Sequence, residues 1–316
     1  EAGIVVNNNA AATMLVLAAL AKGKEVVVSR GQLVEIGGSF RLPDVMAQSG
    51  ATLVEVGATN RTHPKDYAEA INMKTAALLR VHPSNYRIVG FTREVTLSEM
   101  SEVAGEQGVI LIDDLGAGAL AGLEQFGLPH EPTVRESIEA GAHIVLFSAD
   151  KLIGAAQGGV IVGRKDLIER IRKHPLSRAM RADKSCLMVL ERTLQMFRDP
   201  EKLAETHPLY RMLATPDETL KARAEALAAA LGANASVCQG VGYLGSGSLP
   251  THDLPTWVVK VSPGDTPAAE LARRLRTDDA CIFTRIEDEQ IVMDVRTITD
   301  DQIDTIAQAF ARQSSQ

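Results

Sequence analysis

Three short segments of this 316-residue chain carry side chains suited to covalent and proton-transfer chemistry. The densest is residues 145–163, where a hydrophobic run delivers Ser148 and Lys151 into a turn rich in glycine and alanine, and a second apolar run leaves it. A lysine that forms a Schiff base needs a rigid mount, small neighbours that admit a flat ring, and a lowered pKa that leaves its amine neutral. The Ser-x-x-Lys spacing sets a hydroxyl close to that amine, where it suits a phosphate. The second segment, residues 109–118, reads as a buried strand ending in Asp113, Asp114 and a glycine turn. Ligand sites in doubly wound sheets lie beyond the carboxyl ends of the strands, and a carboxylate there can pair with a protonated ring nitrogen. Asp114, nearer the turn, is the candidate; Asp113 is read as a cap or as pointing away. In the third segment Asn7, Asn8 and Asn9 open a helix, whose free N–H groups and positive dipole end attract phosphate. The same asparagines also suit an ordinary N-cap.

Two loops and one patch add to this set. His82-Pro-Ser84-Asn85-Tyr86 follows an apolar run and offers His82 and Asn85 to a ring or a substrate. Ser29-Arg30-Gly31, with Glu35 and Gly37-Gly38-Ser39, forms another polar loop expected at a strand end. Between Arg164 and Lys184, 9 cationic or titratable basic residues fall within 21 positions, against Asp166, Glu169 and Asp183. In a chain of net charge −7 this local inversion suggests an anionic partner. Arg178 and Arg181, at i and i+3, would share a helix face and could grip a phosphate-like anion together.

The elements that must position these residues alternate. Apolar runs at 4–6, 25–29, 52–56, 76–81, 109–112, 144–147 and 159–162 read as strands, and 10–21, 42–49, 63–71, 98–107 and 133–140 read as helices. Strands of this kind separated by helices predict an α/β fold with a mostly parallel sheet covered on both faces. A helix-rich stretch follows to about residue 213. Then come a helix at 218–231, strands at 236–239, 256–261, 280–285 and 290–295, and helices at 267–274 and 300–313. Residues 1–214 are thus read as the catalytic domain with its connecting helices, and 215–316 as a small α+β domain. Three widely spaced cysteines without a CxxC pair argue for reduced thiols and no metal site, hence a cytoplasmic protein. The apolar run near the start is too short to span a bilayer, so no membrane role is expected. Glu1 is not a methionine and the first strand runs straight into a site motif, so a preceding segment is expected.

In chain order, a phosphate-type helix start, a strand-end aspartate and a strand-end Ser-x-x-Lys resemble the layout of fold-type I pyridoxal-phosphate (PLP) enzymes. Longer motifs narrow the likeness: VVNNNAAA, VSRGQLVEIGGSFRLPDVMAQSGATLVEVGATNRTH, HPSNYRIVGFT, DLGAGAL, FSADKLIGAAQGGVIVG, HPLSRAMRADK, GSGSLP and RIED. Together they resemble bacterial selenocysteine synthase, the L-seryl-tRNA(Sec) selenium transferase family, over nearly the whole chain. The resemblance implies a fold-type I large domain with a small α+β domain, and PLP held by Lys151. It implies that Arg178 and Arg181 bind selenophosphate and that Asp150 supports the lysine. It also implies that tRNA(Sec) charged with serine is the substrate. The reaction expected is loss of the seryl β-hydroxyl, leaving an aminoacrylyl group on the tRNA, and addition of selenium to the β-carbon, with Lys151 as base and Asp114 keeping the ring protonated.

The chain departs from the family pattern at several positions. Ser148-Ala149-Asp150-Lys151 stands for Ser-Gly-Asp-Lys, Gly154-Ala155-Ala156-Gln157 for Gly-Gly-Pro-Gln, and Asp114-Leu-Gly-Ala117-Gly-Ala119 for Asp-Leu-Gly-Ser-Gly-Ser. Thr284 replaces a glycine before Arg-Ile. Ala149 would be strained wherever a positive φ is required. Family members also carry a preceding helical domain that engages tRNA, and a further upstream active-site arginine. Two other readings fit the same cofactor motifs: a related PLP lyase acting on a small free amino acid, for which the alanine replacements speak, and an inactive fragment. The arginine pair favours the tRNA-linked reaction. Fold-type I sites are commonly completed by a neighbouring subunit, so a homo-oligomer is expected, and the resemblance implies a ring built from dimers.

Overall fold

The computed structural model describes residues 1–37, 40–245, 248–249 and 252–314 and divides the chain into two compact units. The first comprises residues 1–203 with the described part of 245–251; the second comprises 204–244 and the residues from 252 onward. The break follows Leu203, earlier than the position after Ala214 that the change of sequence pattern predicts.

The first unit is built on strands β1 (Ala2–Val6), β2 (Glu25–Ser29), the two-residue ribbon β3 (Glu35–Ile36) and β4 (Phe40–Arg41), β5 (Thr52–Val56), β6 (Thr75–Val81), β7 (Ile110–Gly116), β8 (Ile144–Ser148) and β9 (Gly159–Gly163). All but the ribbon form one seven-stranded sheet, in the order β1-β9-β8-β7-β6-β2-β5. Neighbours from β8 through β5 pair in parallel, whereas β9 is antiparallel to both β8 and β1. Six strands therefore point one way, and their carboxyl ends line one edge. Helices α1 (Asn9–Ala21), α2 (Leu42–Ser49), α3 (Pro64–Ala70), α4 (Leu97–Gln107), α5 (Val134–Glu139), α6 (Lys165–Lys173), α7 (Pro175–Ala179) and α8 (Lys184–Met196) connect or follow them.

The alternation of side chains along a strand assigns the two faces. Val26, Val28, Leu79, Val81, Ile112, Ile144, Leu146 and Ile161 pack with α1, α2 and α6, while Val27, Leu78, Leu111, Val145, Phe147 and Val160 pack with α3 and α4. Strands apolar on both sides are what a doubly covered parallel sheet requires. At burial energies of about 25 cal/mol per Å² of apolar surface, these two layers are the main force holding the strand ends in register. Two glycines are fixed by close approach. A Cβ on Gly159 would lie 2.1 Å from the carbonyl oxygen of Asn8, and one on Gly118 would meet Phe147 at 2.8 Å.

In the second unit α9 (Leu203–Thr206, whose first residue belongs to the first unit), α10 (Pro208–Ala214) and α11 (Asp217–Leu231) lead to β10 (Ala235–Gly242) and β11 (Leu254–Val261). Helix α12 (Ala268–Thr277), β12 (Arg285–Glu287), β13 (Gln290–Asp294) and α13 (Ile303–Ser314) complete it. The sheet is antiparallel, in the order β10-β11-β13-β12, and its core joins α11, α12 and α13 to β11 and β13. The strand expected at 280–285 forms only from Arg285 onward. Cys281 turns back with φ 49° and donates its N–H to the Asp278 carbonyl, and Asp288 and Glu289, both at positive φ, make the hairpin that pairs Glu287 with Gln290. The turn, not the apolar pattern, sets where that strand begins.

Candidate active site

Helix α1 starts where β1 ends, and its first turn is used twice. The Asn8 side chain caps the helix, accepting the Ala11 N–H at 2.8 Å. The next residue turns inward: Asn9 Nδ2 donates to Asp114 Oδ1 at 2.9 Å. One helical turn later, Thr13 Oγ1 lies 3.0 Å from Asp114 Oδ2 and 3.0 Å from the Asn9 carbonyl. The Gly116 N–H adds a third donor to Asp114 at 3.1 Å. Asp114 is thus a buried carboxylate with its oxygens fixed by its neighbours. Burial pushes its pKa up, and the bonds from Asn9, Thr13 and Gly116 oppose that rise. Asp113 points to the other face, where Arg80, its cross-strand neighbour, donates to it at 3.0 Å.

Lys151 sits in the loop joining β8 to β9. Four main-chain bonds hold that loop: Ala149 N–H to the Gly158 carbonyl, Ala155 N–H to Ala149, Gly154 N–H to Lys151, and Leu152 N–H to Ala117. Gly154 takes φ 67°, the conformation in which glycine is at ease, and it is the residue retained there. Ala149 keeps a negative φ, so its methyl introduces no backbone strain. Burial pushes the Lys151 amine below its ordinary pKa, against the upward pull of Asp114 and Asp150.

A cavity of about 340 Å³ opens on this edge of the sheet, bounded by Asn8, Asn9, His82, Asp114, Ser148, Asp150 and Lys151 together with Ala10, Val34, Ile36, Phe40, Val81, Ser84, Gly116 and Gln157. Seven of the expected site residues therefore converge. Asn85 does not line the cavity; its Nδ2 donates to the Glu35 carbonyl at 2.9 Å and ties the ribbon's base. Arg178 and Arg181 are exposed and do not line it either. Nor do they share one helix face: Arg178 is in the last turn of α7, whereas Arg181 forms an isolated antiparallel bridge with Val6, next to the bond from Asn7 N–H to the Met180 carbonyl. Val34, Ile36 and Phe40 bring the 29–40 loop to the cavity, but Ser29 bonds Thr62 and Arg30 bonds Glu55 instead. Gly38, Ser39, Ser246, Gly247 and Pro250, named in the motifs above, lie outside the described residues. Ala117, Ala119, Ala149, Ala155 and Ala156 are not among the lining residues, so the methyls that distinguish this chain stay out of the cavity.

Two residues absent from the sequence reading belong here. Thr13 reads as one more small residue in an Ala-rich helix, and only the four-residue step from Asn9 hints at its direction. Glu131 has its side chain 6% exposed and brings Oε1 to 3.1 Å from His82 Nε2, from a loop with no local signature. Among the described residues no group of three or more His, Cys, Asp or Glu is arranged to hold a metal ion, and no helix is long and apolar enough to cross a membrane.

A sequence profile described as SelA, L-seryl-tRNA selenium transferase, matches residues 1–299. The chain belongs to this family. It is 51% identical to the L-seryl-tRNA(Sec) selenium transferase of Nitratidesulfovibrio vulgaris, over 98% of this chain and 67% of that protein. The protein of the same description from Solidesulfovibrio magneticus is 49% identical, over 99% and 68%. The chain therefore spans about two thirds of the length of the relatives it matches. Among solved structures, a D-glucosaminate-6-phosphate ammonia-lyase superposes with a TM-score of 0.64 at 20% identity, covering 99% of this chain and 82% of its own, a likeness of fold. The large mostly parallel sheet with a small antiparallel domain is the fold-type I architecture that the layout of motifs predicts.

Proposed function

We propose that the cavity holds pyridoxal 5'-phosphate on Lys151 and that the protein converts L-seryl-tRNA(Sec) to L-selenocysteinyl-tRNA(Sec) with selenophosphate as donor. The observation that carries this reading is the convergence of a desolvated lysine and a triply bonded buried carboxylate on one cavity, in a chain of the selenium transferase family. The residues fit the cofactor. The cavity is flanked by a helix start and Ser148 for a phosphate, and it offers an amine of lowered pKa for a carbonyl carbon. When bound, the cofactor supplies an electron sink for a carbanion at the seryl α-carbon.

The chain's own groups do the rest. Lys151, whose amine burial makes easier to deprotonate, would hold the cofactor and would serve as the base for the substrate's α-proton. Asp114, held by Asn9, Thr13 and the Gly116 N–H, would pair with the cofactor's ring nitrogen and favour its protonated form. Ser148 and the N–H groups at the start of α1, capped by Asn8, take the phosphate. Asp150 adjusts the charge of Lys151. Arg178 and Arg181, permanently charged and exposed, receive the selenophosphate-type anion. A homo-oligomer built from dimers, in the cytoplasm, completes this reading; there a neighbouring copy would bring further residues to the edge of the sheet. The experiment is formation of selenocysteinyl-tRNA from seryl-tRNA(Sec) and selenophosphate, by this chain and by the chain extended to its relatives' length. Product that disappears in Lys151→Ala supports the reading. Turnover of free serine, with none of seryl-tRNA, would replace it by the small-molecule lyase.

A further inference from the structure

β9 runs from Gly159, paired with Ser148 at the cavity edge of the sheet, to Gly163 at the far edge. Helix α6 starts there, and the chain then climbs the free side of β1, the edge strand of its sheet, back towards the cavity. The Lys165 N–H donates to Glu1 Oε2 at 3.3 Å, Arg172 Nη2 donates to the Gly3 carbonyl at 3.4 Å, and the Asn7 N–H donates to the Met180 carbonyl at 2.9 Å. Arg181 bridges Val6, just before the Asn8 and Asn9 that border the cavity. The charges are sorted along this climb. Asp166 lies near the far edge and is bound by Arg164 at 3.0 Å, whereas Arg170, Arg172 and Lys173 fill the last turn of α6. These three are exposed, as are Arg178 and Arg181, and among the described residues none of the five has an ion-pair partner. A helix carboxyl end carries the equivalent of about half a negative charge, so three cations there leave a surplus. Gly3 and Val6 are about 10 Å apart at the rise of a strand, so the surplus is strung along the sheet edge and not gathered around a point. One small anion fills a point; a chain of phosphates fills a strip.

We infer that the last turn of α6 is a docking strip for the sugar-phosphate backbone of an RNA substrate, with Arg170 and Lys173 as phosphate contacts outside the cavity. The inference rests on the reading that seryl-tRNA is the substrate, and it leaves Arg178 and Arg181 to the donor anion. A backbone laid on this strip runs along β1 towards the start of α1, where an acylated end has to enter the cavity. Contacts of this kind fix register and orientation and carry no sequence information. Their energy comes from the counterions that the RNA releases, so it shows in the salt dependence of binding.

The test is the affinity of the protein for unacylated tRNA(Sec) across a salt series, with PLP affinity as the check that each variant is folded. Each phosphate contact steepens the logarithmic salt dependence by about 0.7–0.9. Arg170→Ala combined with Lys173→Ala is expected to flatten it by about 1.4–1.8, which is a loss of about 25- to 60-fold at about 0.1 M salt that vanishes towards about 1 M. Glu169→Lys, one turn from Lys173 on the exposed side of α6, is expected to steepen it by about 0.7–0.9. A salt dependence unchanged in both variants would overturn the inference. So would unchanged tRNA binding accompanied by lost binding to phosphatidylserine vesicles, because the strip would then meet a membrane. Selenocysteinyl-tRNA formation keeps the two readings apart. Product from the wild type, with no change of salt dependence in the variants, sinks the strip alone. A wild type that binds tRNA with the expected changes in its variants, yet forms no product, removes the assigned reaction and leaves the strip standing.

Discussion

Thr13→Val replaces one hydroxyl by a methyl of nearly the same volume at a fully buried position, so packing is preserved and only the hydrogen bond is removed. Thr13 has one proton and two acceptors, each 3.0 Å away: the Asn9 carbonyl and Asp114 Oδ2. If the proton goes to an ionised carboxylate, its loss costs about 1.5–3 kcal/mol; if it goes to a neutral carbonyl, about 1 kcal/mol. The two cases separate with pH. Burial raises Asp114 above the ordinary carboxylate range, so in the folded protein it binds its proton more tightly than in the unfolded chain. Its contribution to stability is therefore full below the unfolded pKa and is lost as pH rises through the folded one. Removing a donor to the ionised form extends that loss. The destabilisation by Thr13→Val should thus be about 1.5–3 kcal/mol on the alkaline side of the Asp114 titration and fall towards about 1 kcal/mol on its acid side, where Asp114 is protonated. Urea unfolding of cofactor-free wild type and variant across a series from acid to alkaline pH measures this, and changes common to both proteins cancel in the difference. A destabilisation that does not vary with pH would refute the reasoning, because Thr13 would then belong to its helix and not to Asp114.

Further outcomes follow from the same geometry. Gly159→Ala puts a Cβ 2.1 Å from the Asn8 carbonyl oxygen, so β9 and the start of α1 must separate. Overpacking of this kind typically costs about 1–3 kcal/mol, read as a lowered denaturation midpoint, and PLP affinity should fall with it. Asp150→Asn removes one of the two carboxylates that raise the Lys151 amine, leaving burial less opposed. Its pKa should fall further, and competitive acylation across pH should find Lys151 reactive at a lower pH than in wild type; an upward shift would reverse the assigned sign.

The parallel sheet and the placement of polar side chains at its strand ends were legible because both depend on short-range pattern. Continuous apolar runs are what a sheet covered on two faces demands, and Asp114 and Lys151 stand where such runs stop. The faces of β7 decided between Asp113 and Asp114: the even-numbered residue shares its side with Ile112 and α1, the odd one with Leu111. What stayed hidden is what tertiary contact alone decides. Glu131 meets His82 across 49 positions, and no spacing signals such a pair. Asn9 reads as a phosphate-type helix start, yet its amide is committed to Asp114, a partner 105 residues away. The arginines at 178 and 181 fit an i, i+3 helix face on paper, but α7 ends at Ala179 and the chain extends to pair with Val6. In the second unit positive φ at Cys281, Asp288 and Glu289 moved a strand that the apolar pattern began earlier.

The most direct measurement of the central claim is borohydride reduction of the protein with PLP, followed by digestion and mass mapping of the cofactor adduct. One equivalent fixed on Lys151, within the segment Phe147-Ser148-Ala149-Asp150-Lys151, is the predicted result, with no adduct in Lys151→Ala. An adduct on another lysine, or none with the unmutated protein, would contradict it.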